Sequence, residues 1–415
     1  MNKPVIIAGA GPGGLTTALT LQARGIPALV FESVSALKPL GVGINLLPHA
    51  VRVLDELGLN NKLDEVAIQT AELCYYNKFG QRIWAEPRGR AAGYAYPQYS
   101  IHRGVLQMLL YETAQERLSS MEGRSALQTD HTLVAWQEES DGILVRFQHR
   151  DGTIEEILGS CLVAADGIHS AARRQLYPNE GDPIYSGRIL WRATSVADPF
   201  LSGRTMIMAG HQNQKFVCYP ISPAHARASK ALINWVAELN VPDWNRPKQD
   251  WNRQVDKSRF AEPFQSWCFD WLDVPALIDN AEVIYEYPLV DRNPLPRWSH
   301  GRMTLLGDAA HPMYPVGSNG ASQAILDAEA LANALLRNED IIQALAEYDA
   351  ERRPPTASIV LANRQNGPEQ VMQLAEERAP QGFANIHDVI SQQELEGIAA
   401  RYKQTAGFSV AQVNR

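Results

Sequence analysis

Gly9-x-Gly11-x-x-Gly14 follows directly on the apolar run Val5-Ile6-Ile7-Ala8 and leads into Leu15-Thr16-Thr17-Ala18-Leu19. No other feature narrows the fold so far. A strand that ends in a tight glycine turn and passes at once into a helix begins a parallel α/β unit. The three glycines serve different ends. Gly9 makes the turn, Gly11 lets backbone approach a pyrophosphate, and Gly14 permits close helix–strand packing. The unpaired N–H groups at the helix start attract phosphate. The next apolar run, "ALVFES", carries Glu32, 18 residues beyond Gly14. A carboxylate there accepts hydrogen bonds from a ribose diol and repels a 2′-phosphate. An adenine dinucleotide without that phosphate is the expected ligand, and FAD and NAD satisfy these residues equally.

Composition limits what else the chain can be. At 415 residues it exceeds one typical domain, so two domains, or one nucleotide-binding domain with insertions, are expected. A net charge of −8 offers no broad basic surface, which argues against nucleic acid and anionic lipid as partners. Cys74, Cys161, Cys218 and Cys268 form no C-x-x-C pair and have no histidine at ligand spacing, so no metal site is expected. They read as buried free thiols of a reducing compartment. The glycines at 9, 11, 13 and 14 interrupt the apolar start, and no stretch approaches the roughly 20 apolar residues of a spanning helix. No membrane partner is expected, and the chain reads as cytoplasmic.

Along the chain, residues 4–72 alternate strand and helix. Leu73–Ala85 reads as a hairpin around Phe79-Gly80, and Ile143–Leu158 as another around Arg150-Asp151-Gly152. Between Gly187 and Tyr287 the β-like runs "GRILWRATS", "KFVCYPIS" and "ALINWVAE" suggest a separate antiparallel layer, with Trp244, Trp251, Trp267 and Trp271 in a polar stretch. Helices dominate from Ser322 onward, and Pro354-Pro355 marks a break.

Two further segments carry chemistry. "CLVAADGIHSAARRQL" ends an apolar run at Asp166-Gly167 and sets Ser170 and Arg173 at helical spacing. "LLGDAAHPMYPVGSNGASQ" ends another at Asp308, then crosses a Pro/Gly loop to a helix start at Asn319-Gly320-Ala321. Strand ends at Gly9, Ala165 and Gly307 would converge on one edge of a parallel sheet, where such folds bind their ligands.

Together G-x-G-x-x-G, D-G-x-x-S-x-x-R and G-D-A-A-H-P resemble the single-component FAD-dependent aromatic hydroxylases, the family of p-hydroxybenzoate and salicylate hydroxylases. The resemblance spans roughly residues 4–365. "PLGVGIN", "AYPQYSIHRG" and "NGASQAILD" are similar in particular to its phenazine-oxidising members. It implies an α/β chain with a Rossmann-like FAD-binding domain, a mixed or antiparallel substrate sheet as in the p-hydroxybenzoate hydroxylase fold, and C-terminal helices. The FAD-binding domain would be discontinuous (1–72, 97–178 and 296–365), the substrate domain would comprise 73–96 and 179–295, and a helical segment would occupy 366–415.

The same resemblance implies site roles. Asp308 would hydrogen-bond FAD near its ribityl and pyrophosphate part, with Arg103 in the same region and Leu127 at the adenine end. Asp166, with Arg173, would tie its segment to FAD and to transient NAD(P)H. The helix at Gly320 would aim its N–H groups at the flavin ring, with Asn319 and Ala321 small enough to allow the approach. Gly43 and Ile44 would line the other side of the ring in a loop that could equally be a plain connector. Pro315 would present its carbonyl beside the hydroxylated carbon. Trp191, Tyr219 and Tyr287 could stack on a flat heteroaromatic, though sheet-core aromatics fit these positions as well.

The implied reaction is an NAD(P)H- and O2-dependent hydroxylation of an aromatic or N-heteroaromatic ring through a flavin C4a-hydroperoxide. A phenazine-1-carboxylate type of substrate, hydroxylated with decarboxylation, is favoured, and a homodimer is compatible with it. Salicylate-type or hydroxynicotinate-type acids are the alternative substrates. A non-oxygenase flavin reductase is the alternative activity. A flavin halogenase would need a W-x-W-x-I-P segment, which the sequence lacks.

Overall fold

The computed structural model describes residues 3–121, 123–242 and 253–414; Trp244 and Trp251 fall outside them. A six-stranded sheet forms around the glycine motif, in the order Ser299–His300, Met303–Leu305, Cys161–Ala164, Val5–Ala8, Ala28–Phe31, Leu127–Gln128. Only the first of these pairs is antiparallel. Every residue of Val5–Ala8, Ala28–Phe31 and Cys161–Ala164 is buried. Unbroken apolar runs are what a sheet covered on both faces requires, and each buried Val, Leu or Ile contributes roughly 1.5–3 kcal/mol. Helix Pro12–Ala23 packs along helix Gly320–Arg337, so the first and last parts of this domain share one core.

The second sheet has seven strands, ordered Tyr285–Asp291, Ile184–Ala197, Ala231–Asn240, Gln214–Pro220, Thr205–His211, Glu72–Tyr76, Arg82–Pro87. It is antiparallel except where Thr205–His211 meets Glu72–Tyr76. The hairpin expected at Phe79-Gly80 supplies its edge, and Asn77 Oδ1 accepts from the Phe79 and Gln81 N–H groups to close the turn. One face, with Trp191, Phe216 and Trp235, packs on Phe260, Phe264 and Trp267. Across the other face lie helices Gln370–Arg378 and Gln392–Thr405, which bring Met372, Leu395 and Ile398 against Leu73, Met206 and Met208. The rest of that second face, around Leu190 and Leu289, meets Tyr314 and Val316. Smaller antiparallel sheets join Thr132–Glu139, Gly142–Gln148 and Ile154–Gly159, and Gly43–Leu46, Tyr99–His102 and Ile68–Gln69.

Two expectations fail. Pro354-Pro355 breaks nothing: both lie inside helix Ile341–Arg364. The carbonyls that lose partners belong to Ala350 and Glu351, which are exposed, so water can satisfy them while the buried face keeps its packing. Cys74, Cys161 and Cys218 are buried free thiols as expected, but Cys268 is exposed. Among the described residues no helix is long and apolar enough to cross a membrane.

Candidate active site

The three strand ends do converge. Val5–Ala8, Cys161–Ala164 and Met303–Leu305 are adjacent and parallel, so their C-terminal ends share one edge. Two glycines there are demanded by the protein itself. Gly9 has φ +112°, and a Cβ on it would stand 2.3 Å from the Ala165 carbonyl oxygen. A Cβ on Gly14 would stand 2.0 Å from the Gly9 oxygen. Gly11 and Gly320 differ, because a Cβ on either meets nothing within 4 Å and neither has a positive φ. Both sit at the start of a helix, Pro12–Ala23 and Gly320–Arg337, with no side chain capping the first turn. Open space in front of uncapped N–H groups is what an approaching anionic or electron-rich ligand needs.

The loop between Asp308 and Gly320 is held from behind. His311 Nε2 lies 2.5 Å from Asp327 Oδ2, Gly307 N–H donates to the same oxygen, and Arg352 Nε donates to Oδ1 at 2.8 Å. Burial alone would raise the Asp327 carboxyl, but its interactions with His311 and Arg352 bring it below the ordinary carboxylate range. At the far end of the loop Gly317 has φ +68° and Ser318 φ +58°. The left-handed region is costly for serine, so something must hold it. Tyr402 of helix Gln392–Thr405 does: its hydroxyl accepts from Asn319 Nδ2 at 2.9 Å and lies 2.8 Å from Asn363 Oδ1 and 3.1 Å from the Val316 oxygen. Asn319 is fully buried, with its side chain turned to Tyr402.

The seven-stranded sheet presents a polar patch to the Gly43–Leu46 strand. Arg192 Nη2 donates to the Gly43 oxygen at 2.8 Å, and Gly43 N–H donates to Asn234 Oδ1 at 2.6 Å. Gly43 can carry no side chain, since a Cβ would stand 2.6 Å from that of Asn234. Burial lowers the Arg192 pKa, with Tyr219 and Tyr287 as electrostatic neighbours that oppose the shift. Burial also pushes the Tyr219 hydroxyl up to about 12. Arg192 Nε and Asn234 Nδ2 are buried without hydrogen-bond partners. Trp191 takes the sheet-core role that its sequence position also allowed. Strand alternation turns it to the opposite face from Arg192, where it stacks on Phe260 at 4.8 Å and donates from Nε1 to Glu286. It belongs to the core there and is not brought together with Tyr219 and Tyr287.

The remaining predicted residues are placed as follows. Glu32 accepts from the Ala10 N–H at 2.8 Å, holding the glycine turn against the second strand. Leu127 pairs with Val30 at the sheet edge, and Ile44 lies partly buried in its strand. Arg103 and Asp308 are exposed, and Ala321 is partly buried. Pro315 is exposed and its carbonyl accepts from the Ser318 N–H at 3.1 Å. Asp166 Oδ2 accepts from Ala171 N–H at 2.7 Å, while Oδ1 is buried and unpartnered, and burial raises its carboxyl above the usual range. Arg173 is fully committed to protein: it bonds Glu180, the carbonyls of Ala309, Ala310 and Asn293, and keeps no N–H for a ligand. It bolts one strand end to the next. Sequence reasoning missed Arg192, Asn234, Asp327, Arg352 and Tyr402, because each acts across a packing contact that no local spacing announces.

These residues fit FAD. The open cradles at Gly11 and Gly320, and the orphaned Oδ1 of Asp166, offer room and hydrogen-bonding capacity that the protein leaves unused. This is a dinucleotide-binding α/β domain set against a substrate sheet. A family model described as FAD binding domain matches residues 2–362, and the chain belongs to that family. It is 47% identical over 87% of its length, and 89% of the relative's, to a phenazine 1,6-dicarboxylic acid hydroxylase of Lysobacter antibioticus. It is 30% identical, over 88% of each chain, to a 3-hydroxybenzoate 6-hydroxylase of Polaromonas naphthalenivorans. The solved structure of Klebsiella pneumoniae HpxO with FAD and uric acid matches with a TM-score of 0.76 at 22% identity, covering 99% of this chain and 97% of that one, a likeness of fold. The chain is an FAD-dependent aromatic monooxygenase of the p-hydroxybenzoate hydroxylase fold.

Proposed function

We propose that the substrate is a flat N-heteroaromatic acid of the phenazine-1-carboxylate type, hydroxylated with NAD(P)H and O2 as co-substrates. The observation that carries this reading is the partly buried Arg192, whose Nε has no partner, among Tyr219, Tyr287 and Asn234 beside the Gly43 loop. A desolvated guanidinium between aromatic side chains suits a planar anion. The identity with a phenazine dicarboxylate hydroxylase supports the same ring class.

Bound FAD supplies reductive activation of O2 and transfer of one oxygen atom to the ring. The chain's own residues place and shield that chemistry. Gly9, Gly11, Gly14 and Glu32 hold the adenosine and pyrophosphate, with Leu127 at the adenine, while Arg103, Asp166 and Asp308 contact the diphosphate and ribityl region. The N–H groups following Asn319, at Gly320 and Ala321, stabilise negative charge at the ring edge through the helix end. Gly43 and Ile44 line the opposite side. The Pro315 carbonyl, with one lone pair engaged by Ser318, has a second for the substrate. Leu190, Leu289, Tyr314 and Val316 form an apolar wall that excludes water. Where the attacked carbon bears the carboxylate, breaking that C–C bond returns its electron pair to the ring and releases CO2.

The test is product analysis with 18O2 over phenazine-1-carboxylate, quinoline carboxylate and 3-hydroxybenzoate. Phenazine-1-carboxylate should stimulate NAD(P)H oxidation most and yield a singly labelled hydroxyl product. Preferential labelling of 3-hydroxybenzoate would replace this reading with that of a simple benzoate hydroxylase.

A further inference from the structure

Cysteine spacing argues against a metal site, yet folding brings together two histidines and a carboxylate from elsewhere in the chain. His131 immediately precedes strand Thr132–Glu139, and His149 and Glu155 flank the turn that joins Gly142–Gln148 to Ile154–Gly159. One donor atom from each lies within 4.8 Å of the others. His131 Nε2 is 2.9 Å, and His149 Nε2 3.2 Å, from the same oxygen, Glu155 Oε2. Two ligands bound at zinc–nitrogen or zinc–oxygen length around a tetrahedral ion stand roughly 3.3 Å apart.

The proton positions sharpen the point. His131 Nδ1 lies 2.6 Å from the Thr129 carbonyl oxygen. A carbonyl only accepts, so Nδ1 carries the hydrogen and the neutral ring presents a lone pair at Nε2. That lone pair faces the Glu155 carboxylate oxygen, so the two groups direct electron pairs into one space suited to a cation. The surroundings are those of a metal ligand set: one imidazole donates its far N–H to backbone, and the second carboxylate oxygen accepts from Arg124 Nη1. His131 is buried, while His149 and Glu155 are partly exposed and leave an entry path.

We propose that His131, His149 and Glu155 form a binding site for a divalent transition-metal ion of the Zn2+ type, with water completing its coordination. Two imidazoles and one carboxylate oxygen suit that class, whereas Mg2+ and Ca2+ prefer oxygen sets. The site clips the small sheet to the nucleotide edge. The His131 backbone N–H donates to the Glu32 carbonyl at 2.9 Å, and its ring lies 5.1 Å from that of Phe31.

Calorimetric titration of ZnCl2 and MgCl2 into metal-stripped, FAD-loaded protein tests this. Wild type should bind about one Zn2+ with a rise in Tm and ignore Mg2+. His149→Ala and Glu155→Gln should retain FAD absorbance while losing more than about tenfold in zinc affinity. Zinc binding equal in wild type and both variants would overturn the proposal, placing the ion elsewhere, as at exposed Cys268. So would no zinc binding by wild type. Should His149→Ala shed FAD, Glu155→Gln and the wild-type Tm shift still decide it.

Discussion

The nucleotide edge of the parallel sheet and the polar face of the seven-stranded sheet build their parts of the site from different materials. At the nucleotide edge the work falls to backbone: bare Cα atoms at Gly9, Gly11, Gly14 and Gly320, and uncapped helix starts. On the sheet face it falls to side chains, Arg192, Asn234 and Tyr219, brought side by side by strand pairing between distant segments. Backbone sites tolerate almost no change in shape but leave a local mark in sequence. Side-chain sites can be retuned one residue at a time and leave little.

The difference can be broken most severely at Gly14. Gly14→Ala forces a Cβ to 2.0 Å from the Gly9 oxygen, so we expect destabilisation on the order of 3 kcal/mol and colourless protein. Thermal melts and the absorbance of bound flavin check both. Gly320→Val sharpens the contrast, since a Cβ there meets nothing within 4 Å. Its Tm should stay near wild type while turnover falls by about a hundredfold or more, the range seen when a preorganised donor is displaced. Normal turnover would detach the helix end from the flavin ring.

On the sheet face, Arg192→Gln should raise KM for a carboxylate substrate about tenfold to a hundredfold with a smaller change in kcat, as loss of one charge-assisted hydrogen bond implies. An uncharged analogue should show no such rise. Tyr402→Phe removes the hydroxyl shared by Asn319, Asn363 and Val316. We expect a loss of about 1–3 kcal/mol and a larger share of NAD(P)H diverted to hydrogen peroxide, because the left-handed Ser318 loses its support. Unchanged coupling would confine Tyr402 to stability.

At neutral pH the mildest effect is that of His49, which grows only on acidification. His49 is buried against Phe408, and burial, then Arg352 and Arg52, lowers its pKa to about 3. The unfolded chain takes up this proton near pH 6.5 and the folded one does not, so stability falls as pH drops from 6.5 toward 3 by at most about 1.4 kcal/mol per pH unit. His49→Gln should flatten that part of the Tm-against-pH curve, and an unaltered slope would refute the assignment.

Legibility follows the same division. The strand–turn–helix, both hairpins and the convergence of three strand ends were readable because each depends on period, turn chemistry or a single glycine. For Trp191 a stacking role and a core role both stood open, because its neighbours do not reveal which face of a strand meets the Gly43 loop. Arg173 looked like a ligand contact and is instead a bolt between strand ends. Pro354-Pro355 looked like a stop signal, but burial on one side of a long helix outweighed two lost hydrogen bonds.

By itself, then, the sequence determined the nucleotide fold and its class of ligand, an adenine dinucleotide, since backbone conformation is dictated by which residues can adopt it. Tertiary structure alone decided which side chains share a space: Arg192 with Gly43, Tyr402 with Asn319, His131 with His149 and Glu155. Such meetings depend on packing whole sheets and helices together, and a contact made between distant parts of the chain leaves no periodic trace in the order of its amino acids.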